Sequence, residues 1–380
     1  MRLSVIRRLD QIDPVHWNNL SRNCNPFLSH EFLNGLELSG CVSPNTGWEA
    51  YHLVLYDDTY NRNTAAGAAP LYLKYHSWGE YVFDWAWADA YQRAGLKYYP
   101  KLLCAVPFTP VTGPRLLVDP NHPDPHRLRE ALAVGLVQLA EDSGVSSLHV
   151  LFATEDDNQI LGQCGFLLRT GNQFHWHNKC YQDFDHYLAS FTAAKRKKIR
   201  RERRRVIDSG IRVEVLSGSD LKPEHWQAMY DFYHLTVYKH GASAYLNAEF
   251  FDYMQLHLAN QVVMVLARHG KRYVGGALNV SGGDALYGRY WGADAYYDGL
   301  HFEVCYYQPI EYCIRNRLVR FEAGAQGEHK LSRGLLPTTT GSTHWLNDAR
   351  FRGAISEFLH AESEHVHQYS NLLQDHTPFK

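Results

Sequence analysis

The sequence predicts a mixed α/β fold built from two similar units in tandem. Its 380 residues are more than one hydrophobic core of ordinary size usually serves. Strand-like runs alternate with amphipathic helices in both halves, and the order of these elements is similar in each. We therefore expect two copies of one α/β unit.

In the first half, one helix stands out by its periodicity. The run "DPHRLREALAVGLVQLAEDSG" places Leu128, Leu132, Leu136 and Leu139 on one face, and Gly144 is a typical stop. The earlier predicted elements are a strand "LSVIRRL", helices "DPVHWNNL" and "LSHEFLNGLELSG", and strands "YHLVLYDD", "AAGAAPLYLKYH" and "EYVFDWAWADAY". A strand "VSSLHVLFA", a helix "DDNQILGQCG" and a strand "FLLRTGNQFHWHN" complete the half.

The second half repeats this order. Its predicted elements are a strand "IRVEVLS", helices "KPEHWQAMYDFYHLTVYKHG" and "NAEFFDYMQLHLAN", strands "VVMVLARHG", "RYVGGALNVSG" and "ALYGRYWGADAYY", a helix "HFEVCYYQPIEYCIRN" and a strand "RLVRFEAG". Two short matches support duplication: "GAAPLYL" with "GGALNV", and "AWADAY" with "WGADAY". Chance similarity between aromatic-rich strands is the alternative.

A basic segment lies between the halves. Nine of the eleven residues from Lys195 to Arg205 are Lys or Arg, and no helix breaker interrupts them. We predict a connector, 181–210, in which "TAAKRKKIRRERRRVIDSG" forms one long basic helix. It joins a first unit, 1–180, to a second unit, 211–380, which ends in a helix. Because the net charge is −2, any nucleic-acid binding has to come from this local patch.

Composition excludes several classes of protein. Seven cysteines without a CxxC pair indicate neither a disulfide framework nor a zinc knuckle. The pairs "HWH" and "HVH" lack a visible third ligand, so we predict no metal site. The first residues lack the apolar segment of a secretion signal, and no run approaches the ~18 apolar residues of a membrane span. The expected location is the cytoplasm.

Several segments of the chain together resemble a known family. The order of elements is similar to the GNAT acyltransferase fold, and "NPFLSHEFL", "KKIRRERR", "HFEVCYYQPIEYCI" and "FEAGAQGEHKLSRG" resemble the FemAB-like proteins, relatives of the Fem peptidoglycan aminoacyltransferases. The resemblance implies two tandem GNAT-like units and direct acyl transfer to an amine, without a permanently bound cofactor. It implies a cell-wall precursor as the class of acceptor, a small molecule or one linked to a lipid or nucleotide.

The identity of the acyl donor stays open at this point. Users of acetyl-CoA with the GNAT fold carry a glycine-rich loop around the pyrophosphate at a helix N-terminus. Neither "YYDGLHFEVCYY" nor "RAGLKYYPKLL" fits that loop, so aminoacyl-tRNA is the expected co-substrate and acyl-CoA or an acyl carrier the alternative. A third hypothesis is a non-catalytic protein that binds RNA or another anion on the same fold.

The candidate active site is the polar turn "GAQGEHKLSRG" at the end of the last predicted strand. In a GNAT-like sheet, the strands carrying "GRYWGADAY" and "RFEAG" part, and we expect the turn at the mouth of the gap. His329 suits proton transfer near neutral pH, Glu303 could deprotonate an ammonium if burial raised its pKa, and Tyr306 could protonate the leaving group. Each could instead be an ordinary loop or helix-start residue.

Other polar residues are candidates for substrate binding. Lys330 and Arg333 could hold a phosphate or carboxylate. The further candidates are Gln326, Glu322, Tyr307, Tyr290, Trp291 and Asp294 around the gap, Asp84 and Asp89 in an acceptor groove, and Tyr238 and Lys239, with His240, as acceptor contacts. For Asp84 and Asp89, a buried aromatic wall with capped aspartates is the alternative.

The basic helix is a candidate for binding phosphates. Neighbouring like charges repel unless anions screen them. The residues expected to contact a tRNA are Lys195, Arg196, Lys197, Lys198, Arg200, Arg201 and Arg204. A solvated connecting helix is the alternative.

Overall fold

The structure, a computed structural model, describes residues 1–22, 25–60, 64–324 and 327–380. It has the predicted mixed α/β class. The strands are β1 Arg2–Ile6, β2 Trp48–Ala50, β3 His52–Tyr56, β4 Ala65–Ala69, β5 Leu71–Lys74, β6 Lys101–Cys104, β7 Leu117–Val118, β8 Ser147–Ala153, β9 Leu167–His177, β10 Ile211–Ser217, β11 Val262–His269, β12 Arg272–Gly282, β13 Ala285–Ala293, β14 Arg320–Glu322 and β15 Leu336–Leu346. The helices are α1 Pro14–Leu20, α2 His30–Leu38, α3 Trp85–Arg93, α4 Pro125–Asp142, α5 Glu155–Gln163, α6 Phe184–Ala189, α7 Ala193–Asp208, α8 Pro223–Lys239, α9 Ala248–His257, α10 Leu300–Phe302, α11 Gln308–Arg315 and α12 Ala349–Gln374.

The chain forms two compact units. The first comprises Met1–Gly171 and Thr339–His367, and the second comprises Asn172–Thr338 and Gln368–Lys380. The basic helix α7 is therefore an element of the second unit, and each unit contains a segment from the last part of the chain.

In the first unit, helix α4 provides much of the core. Leu128, Leu132 and Leu136 are fully buried among residues of β3, β6 and β8, as the leucine periodicity predicts. The Asp124 side chain accepts the amide N–H of Arg127 and so caps the helix. Beside this core, β1, β3, β4 and β7 form one sheet. Strands β2, β5, β6, β8 and β15 are hydrogen-bonded to one another in that order.

In the second unit, two parallel strands part where the candidate site begins. The strand order is β10-β11-β12-β13-β14-β9, with antiparallel pairing except between β13 and β14. These two strands pair in parallel only from Ala285 to Tyr287, opposite Arg320 to Glu322. Strand β13 then continues to Ala293, whereas β14 ends, which leaves a gap in the sheet.

One predicted strand is wrong. In the run "EYVFDWAWADAY", the residues from Trp85 onward form helix α3, because Trp87 and Tyr91 lie four residues apart and both become buried on one helix face. The matching letters "WGADAY" instead fall on the end of β13 and the loop after it. This pair therefore lies on unlike elements and does not support duplication. The other matched pair does lie on strands, β4 with β5 and β12.

The predicted helix that contains Pro309 is continuous but contains a wider turn. Residues Glu303–Tyr307 are π-helical, between α10 and α11, and the Gln308 N–H donates to the carbonyl O of Glu303. A proline ring collides with the carbonyl four residues earlier in a regular α-helix, and the wider turn relieves this contact. Such turns are frequent at functional sites.

Gly292 permits close packing of α8 against β13. A Cβ added there would lie 2.1 Å from the carbonyl O of Phe232 and 2.6 Å from Thr236 Oγ1. We expect Gly292→Ala to lower the free energy of unfolding by about 1–3 kcal/mol because backbone has to move. Gly162→Ala in α5, where a Cβ meets nothing within 4 Å, is the control and should be neutral or stabilising by about 0.5 kcal/mol. Urea denaturation measures both, and equal effects would contradict the packing argument.

Candidate active site

A cavity of about 140 Å³ occupies the gap between β13 and β14. Across from it, the register of β12 against β13 shifts between Leu278 and Asn279, and such bulges re-aim side chains beside functional sites. The lining residues are Ala277, Leu278, Asn279, Gly288, Arg289, Tyr290, Trp291, His301, Cys305, Tyr306, Phe321 and Ala323. Three predicted site residues, Tyr290, Trp291 and Tyr306, thus meet at one cavity.

The turn that follows β14 reaches the wall of this cavity. Residues Glu328–Arg333 form a 3₁₀ helix, and the Tyr306 hydroxyl lies 3.0 Å from His329 Nε2. The His329 ring also lies 5.8 Å from the His301 ring, centroid to centroid. The structure therefore brings the turn and the parted strands together, as their positions in the sequence predict.

His301 is a site residue that the sequence reasoning missed. Its ring lies 4.5 Å from the Trp291 ring and 5.4 Å from the Tyr306 ring. Burial, together with the neighbouring His329 and Arg333, lowers the pKa of His301 to about 4, so the imidazole is neutral at pH 7. The sequence feature that could have indicated His301 is its position at the start of the helix that follows β13.

Lys330 is directed into the protein. Its Nζ donates to the carbonyl oxygens of Ala323 at 2.6 Å and Gly324 at 3.1 Å. Burial lowers the pKa of Lys330 to about 8. In this arrangement the lysine ties the turn to the end of β14, a role that differs from the predicted contact with substrate.

Arg333 also has internal partners. One guanidinium nitrogen donates to Glu202 Oε2 at 2.9 Å, and the other donates to the carbonyl O of His329 at 2.7 Å. The guanidinium stacks on the Phe302 ring, 3.3 Å from its centroid. With these contacts Arg333 fixes the turn, because both of its terminal guanidinium nitrogens are already engaged.

Glu303 is not among the residues that line the cavity. Its carboxylate accepts from Arg203 at 3.0–3.2 Å and from Gln308 Nε2 at 2.7 Å. Tyr307, the other end of the π-helical turn, donates its hydroxyl to Glu202. The turn therefore sends Glu303 and Tyr307 toward α7 and Tyr306 toward the cavity, so the predicted general base has a different environment from the one expected.

The remaining predicted residues around the gap differ in position. Glu322 is buried and accepts from Arg320 Nε at 2.9 Å, and burial raises the pKa of its carboxyl. Asp294 pairs with Arg272 at 2.9 Å, away from the cavity. Gln326 lies outside the described residues.

A second cleft, of about 430 Å³, adjoins the first cavity. Trp291 and His301 line both. Lys239 lines the second cleft and donates its Nζ to the carbonyl O of Ala293 at 3.0 Å, with His240 beside it. Tyr238 is 83% exposed. The two cavities thus share Trp291 and His301, and Tyr306 lines the smaller one.

In the first unit, the aspartates of the predicted acceptor groove do not share a groove. Asp84 is buried, accepts from the Tyr98 hydroxyl at 2.6 Å and forms a short ion pair with Lys101. Burial would raise the pKa of Asp84, but Lys101 and His149 outweigh it and hold that pKa below its usual range. Asp89 is exposed and pairs with Arg93 at 3.2 Å. For Asp84, the burial agrees with the alternative interpretation, a buried wall in place of an acceptor groove.

Helix α7 carries its charges on a solvent-facing side. Lys197, Arg201 and Arg204 are exposed, and their spacing of four and three residues puts them on one face. They have no acidic partner among the residues whose positions are described. Of the other predicted phosphate contacts, Lys198 lies 3.9 Å from Glu202, Arg200 pairs with Asp185 at 3.0 Å, Arg196 donates to the Phe191 carbonyl, and Lys195 is partly buried.

The described ranges contain neither a candidate metal site nor a candidate membrane span. No group of three or more His, Cys, Asp or Glu side chains there could hold a metal ion. Of the two histidine pairs in the sequence, "HWH" lies on β9 and "HVH" lies on α12. No helix in these ranges is both long and apolar enough to cross a bilayer.

The mixed α/β fold of this chain is shared with FemX. Residues 8–380 match the FemAB-like family, described as peptidoglycan biosynthesis/recognition. The chain belongs to this family, which confirms the resemblance that the sequence motifs indicated.

Solved structures share the fold at low sequence identity. FemX is 14% identical, with 94% of this chain and 100% of that chain covered and a TM-score of 0.56. The C-terminal domain of a putative lysylphosphatidylglycerol synthetase from Agrobacterium fabrum is 10% identical, with 90% and 94% covered and a TM-score of 0.53. L-PGS from Bacillus licheniformis is 9% identical, with 91% and 97% covered and a TM-score of 0.51. A search of curated proteins gave no match.

Proposed function

We propose that the second unit transfers an aminoacyl group from a tRNA to an amine of a peptidoglycan precursor. The observation that supports this most is the cavity between the parted strands, where the hydroxyl–imidazole pair of Tyr306 and His329 meets the neutral imidazole of His301. Family membership supports the acceptor class, since the family is described by peptidoglycan biosynthesis/recognition.

The size of the cavity suits a small acyl group. A cavity of ~150 Å³ holds one benzene molecule, which has six heavy atoms, and the cavity here is about 140 Å³. An aminoacyl group with a short side chain has a similar number of heavy atoms. The second cleft leaves room for the carrier end of the donor.

The surrounding residues can move the protons that direct transfer requires. The acceptor nitrogen attacks the ester carbonyl carbon, and His301 takes the surplus proton from that nitrogen because its imidazole is neutral. The ester C–O bond breaks, and the departing ribose oxygen takes the proton of the Tyr306 hydroxyl. Burial raises the pKa of Tyr306, so the phenol is protonated beforehand. The proton taken by His301 then restores the Tyr306 phenol through His329, whose ring lies 5.8 Å from the His301 ring and whose Nε2 lies 3.0 Å from the Tyr306 hydroxyl.

The loop before α10 favours this donor over acyl-CoA. An acidic residue, Asp298, precedes the first helical residue, Leu300, and pairs with Arg205 at 2.8 Å. A helix N-terminus that binds pyrophosphate uses free amides and positive potential, and here the nearby cation, Arg205, is already engaged by Asp298. The acyl-CoA alternative therefore has less support.

The exposed face of α7 is the surface that we assign to the tRNA. Three cations without acidic partners in the described ranges, Lys197, Arg201 and Arg204, lie side by side there. Contacts of this kind bind phosphates without reading sequence, and the bound counterions that they release make affinity depend on salt.

We predict that reversing these three charges weakens tRNA binding selectively. For Lys197→Glu combined with Arg201→Glu and Arg204→Glu, the slope of log affinity against log salt should fall by about 2–3, as expected for three lost phosphate contacts. Filter binding between 50 and 200 mM salt measures this slope. The same reversal at three exposed cations elsewhere, Lys97, Arg127 and Lys271, is the matched control.

The proposed reaction is tested with the wild-type chain, aminoacyl-tRNA and a peptidoglycan precursor that bears a free amine. Formation of an amide product, detected by mass spectrometry, is the expected result, and the triple variant should raise the KM for tRNA. Product from acyl-CoA alone would favour the second donor. RNA binding without any transfer would favour the non-catalytic hypothesis.

A further inference from the structure

Helix α7 has a second face, which contacts the candidate active site. The only acidic residue between 195 and 205 is Glu202, and it is buried on the side of the helix away from Lys197, Arg201 and Arg204. The next residue, Arg203, is also turned inward. These two side chains contact different elements beside the cavity: Glu202 contacts the turn 328–333, and Arg203 contacts the helix 300–315.

Glu202 holds the turn that carries His329. Its carboxylate accepts from Arg333 at 2.9 Å and from the Tyr307 hydroxyl, and Arg333 donates in turn to the carbonyl O of His329 at 2.7 Å. Two hydrogen bonds therefore connect α7 to the backbone of His329. Because Glu202 and Arg333 are both buried, these charge-assisted bonds are stronger than they would be in water.

Arg203 holds the helix that carries His301 and Tyr306. It donates to Glu303 at 3.0 Å and to Glu311 at 2.9 Å, and both acceptors lie on the continuous helix 300–315. One turn of α7 thus holds both the helix that lines the cavity and the turn whose His329 contacts Tyr306.

We infer that α7 couples the binding of a polyanion on its outer face to the order of the acyl-transfer site, with Glu202 and Arg203 as positioning residues. The inference depends on the proposed function, because it takes RNA as the polyanion. Lys197, Arg201 and Arg204 repel one another at helical spacing. A bound polyanion removes this repulsion and stabilises the helical turns that hold Glu202 and Arg203. By linkage, a ligand in the site raises polyanion affinity by the same factor.

Hydrogen–deuterium exchange tests the coupling without knowledge of the substrates. The probe is a 12-nucleotide single-stranded RNA at saturation, and the readout is amide exchange in segment 328–336. In the wild-type chain, we expect RNA to slow this exchange at least about fivefold, the lower range of allosteric coupling. In Glu202→Gln, RNA should bind with affinity within about threefold of wild type, since a buried carboxylate does not contribute a phosphate contact, but the slowing should disappear.

Asp208→Asn is the matched control. It removes one negative charge from the same helix at an exposed position, so it should retain the full response. If Glu202→Gln fails to fold, Arg333→Lys breaks the same connection from the other side by removing the guanidinium fork, and it should also lose the response.

The outcomes separate the two proposals. RNA binding to the wild-type chain without slower exchange in 328–336 would overturn the coupling and leave the proposed function intact. Equal slowing in wild type and in the variant that lacks the Glu202 carboxylate would also overturn it. If the wild-type chain binds no RNA, both the coupling and the tRNA donor are wrong.

Discussion

Replacing Lys101 by methionine is expected to destabilise the first unit by about 3–5 kcal/mol, the cost of removing one partner from a buried ion pair. Lys101 is fully buried, and its Nζ contacts Ser77 Oγ at 2.9 Å, Glu80 Oε2 at 2.8 Å and the Asp84 carboxylate. Methionine fills a similar volume but leaves two buried carboxylates without this cation. Chemical denaturation measures the loss.

Two comparisons show whether charge or packing is responsible. Lys97→Met, at an exposed position, should change stability by less than about 0.5 kcal/mol. Adding Glu80→Gln and Asp84→Asn to Lys101→Met should recover most of the loss, because a neutral network replaces the unpaired carboxylates. If this triple variant is as unstable as the single one, the loss comes from packing.

The destabilisation should also depend on pH. Burial raises the pKa of Glu80 to about 7 even with Lys101 nearby. A carboxyl whose folded pKa is raised contributes stability that is present below its unfolded pKa and lost as pH rises through its folded pKa. Without Lys101, the folded pKa values of Glu80 and Asp84 rise, so the variant should be closer to wild type at pH 5 than at pH 8. A pH-independent difference would contradict this argument.

This network explains the unusual loop between β5 and α3. Ser77, Glu80 and Asp84 point inward to Lys101, whereas Trp78 and Phe83 are 60% and 58% exposed. Ordinary loops place charges outside and rings inside. Here three contacts to Lys101 hold the loop in a conformation that leaves two aromatic rings exposed. Loss of Lys101 should therefore change the conformation of this loop before that of the rest of the unit.

Periodicity predicted the elements whose structure depends on neighbours in sequence. Helix α4 follows from its leucine spacing and cap, and α7 follows from an unbroken run of helix-forming residues. Helix α3 was predicted as a strand because alternating aromatic and small residues are typical of strands. Its helical form depends on burial of Trp87 and Tyr91 beside Leu346 and Leu359, partners that lie far away in the sequence.

The candidate site was predictable in position but not in its contacts. The end of a strand with a dense polar turn indicated where to look, and Tyr306 and His329 do meet there. The partners of Arg333 and Glu303 were not predictable, because Glu202 lies 131 residues from Arg333 and Arg203 lies 100 residues from Glu303. A charged residue in a polar turn can bind a substrate or hold the fold, and only the tertiary partner distinguishes the two.

Replacing His301 by glutamine is expected to lower kcat about 100-fold to 1000-fold, the usual contribution of a positioned general base. Glutamine retains a polar side chain of similar size but cannot take a proton from the acceptor nitrogen. The KM for the acceptor should change little, since the loss concerns the transition state. His269→Gln is the matched control, because His269 is exposed at the end of β11 and lines neither the cavity nor the second cleft.

The pH profile distinguishes a base from a residue that only shapes the cavity. A general base acts when deprotonated, so kcat falls as pH drops through its folded pKa. Because the pKa of His301 is about 4, wild-type kcat at saturating substrates should show no loss from this group between pH 7 and pH 5 and should fall near pH 4. That low-pH fall should be missing in His301→Gln. If the variant keeps the same fall, or keeps kcat within threefold of wild type, well short of the range expected for a base, then His301 does not accept the proton and the transfer depends on another group.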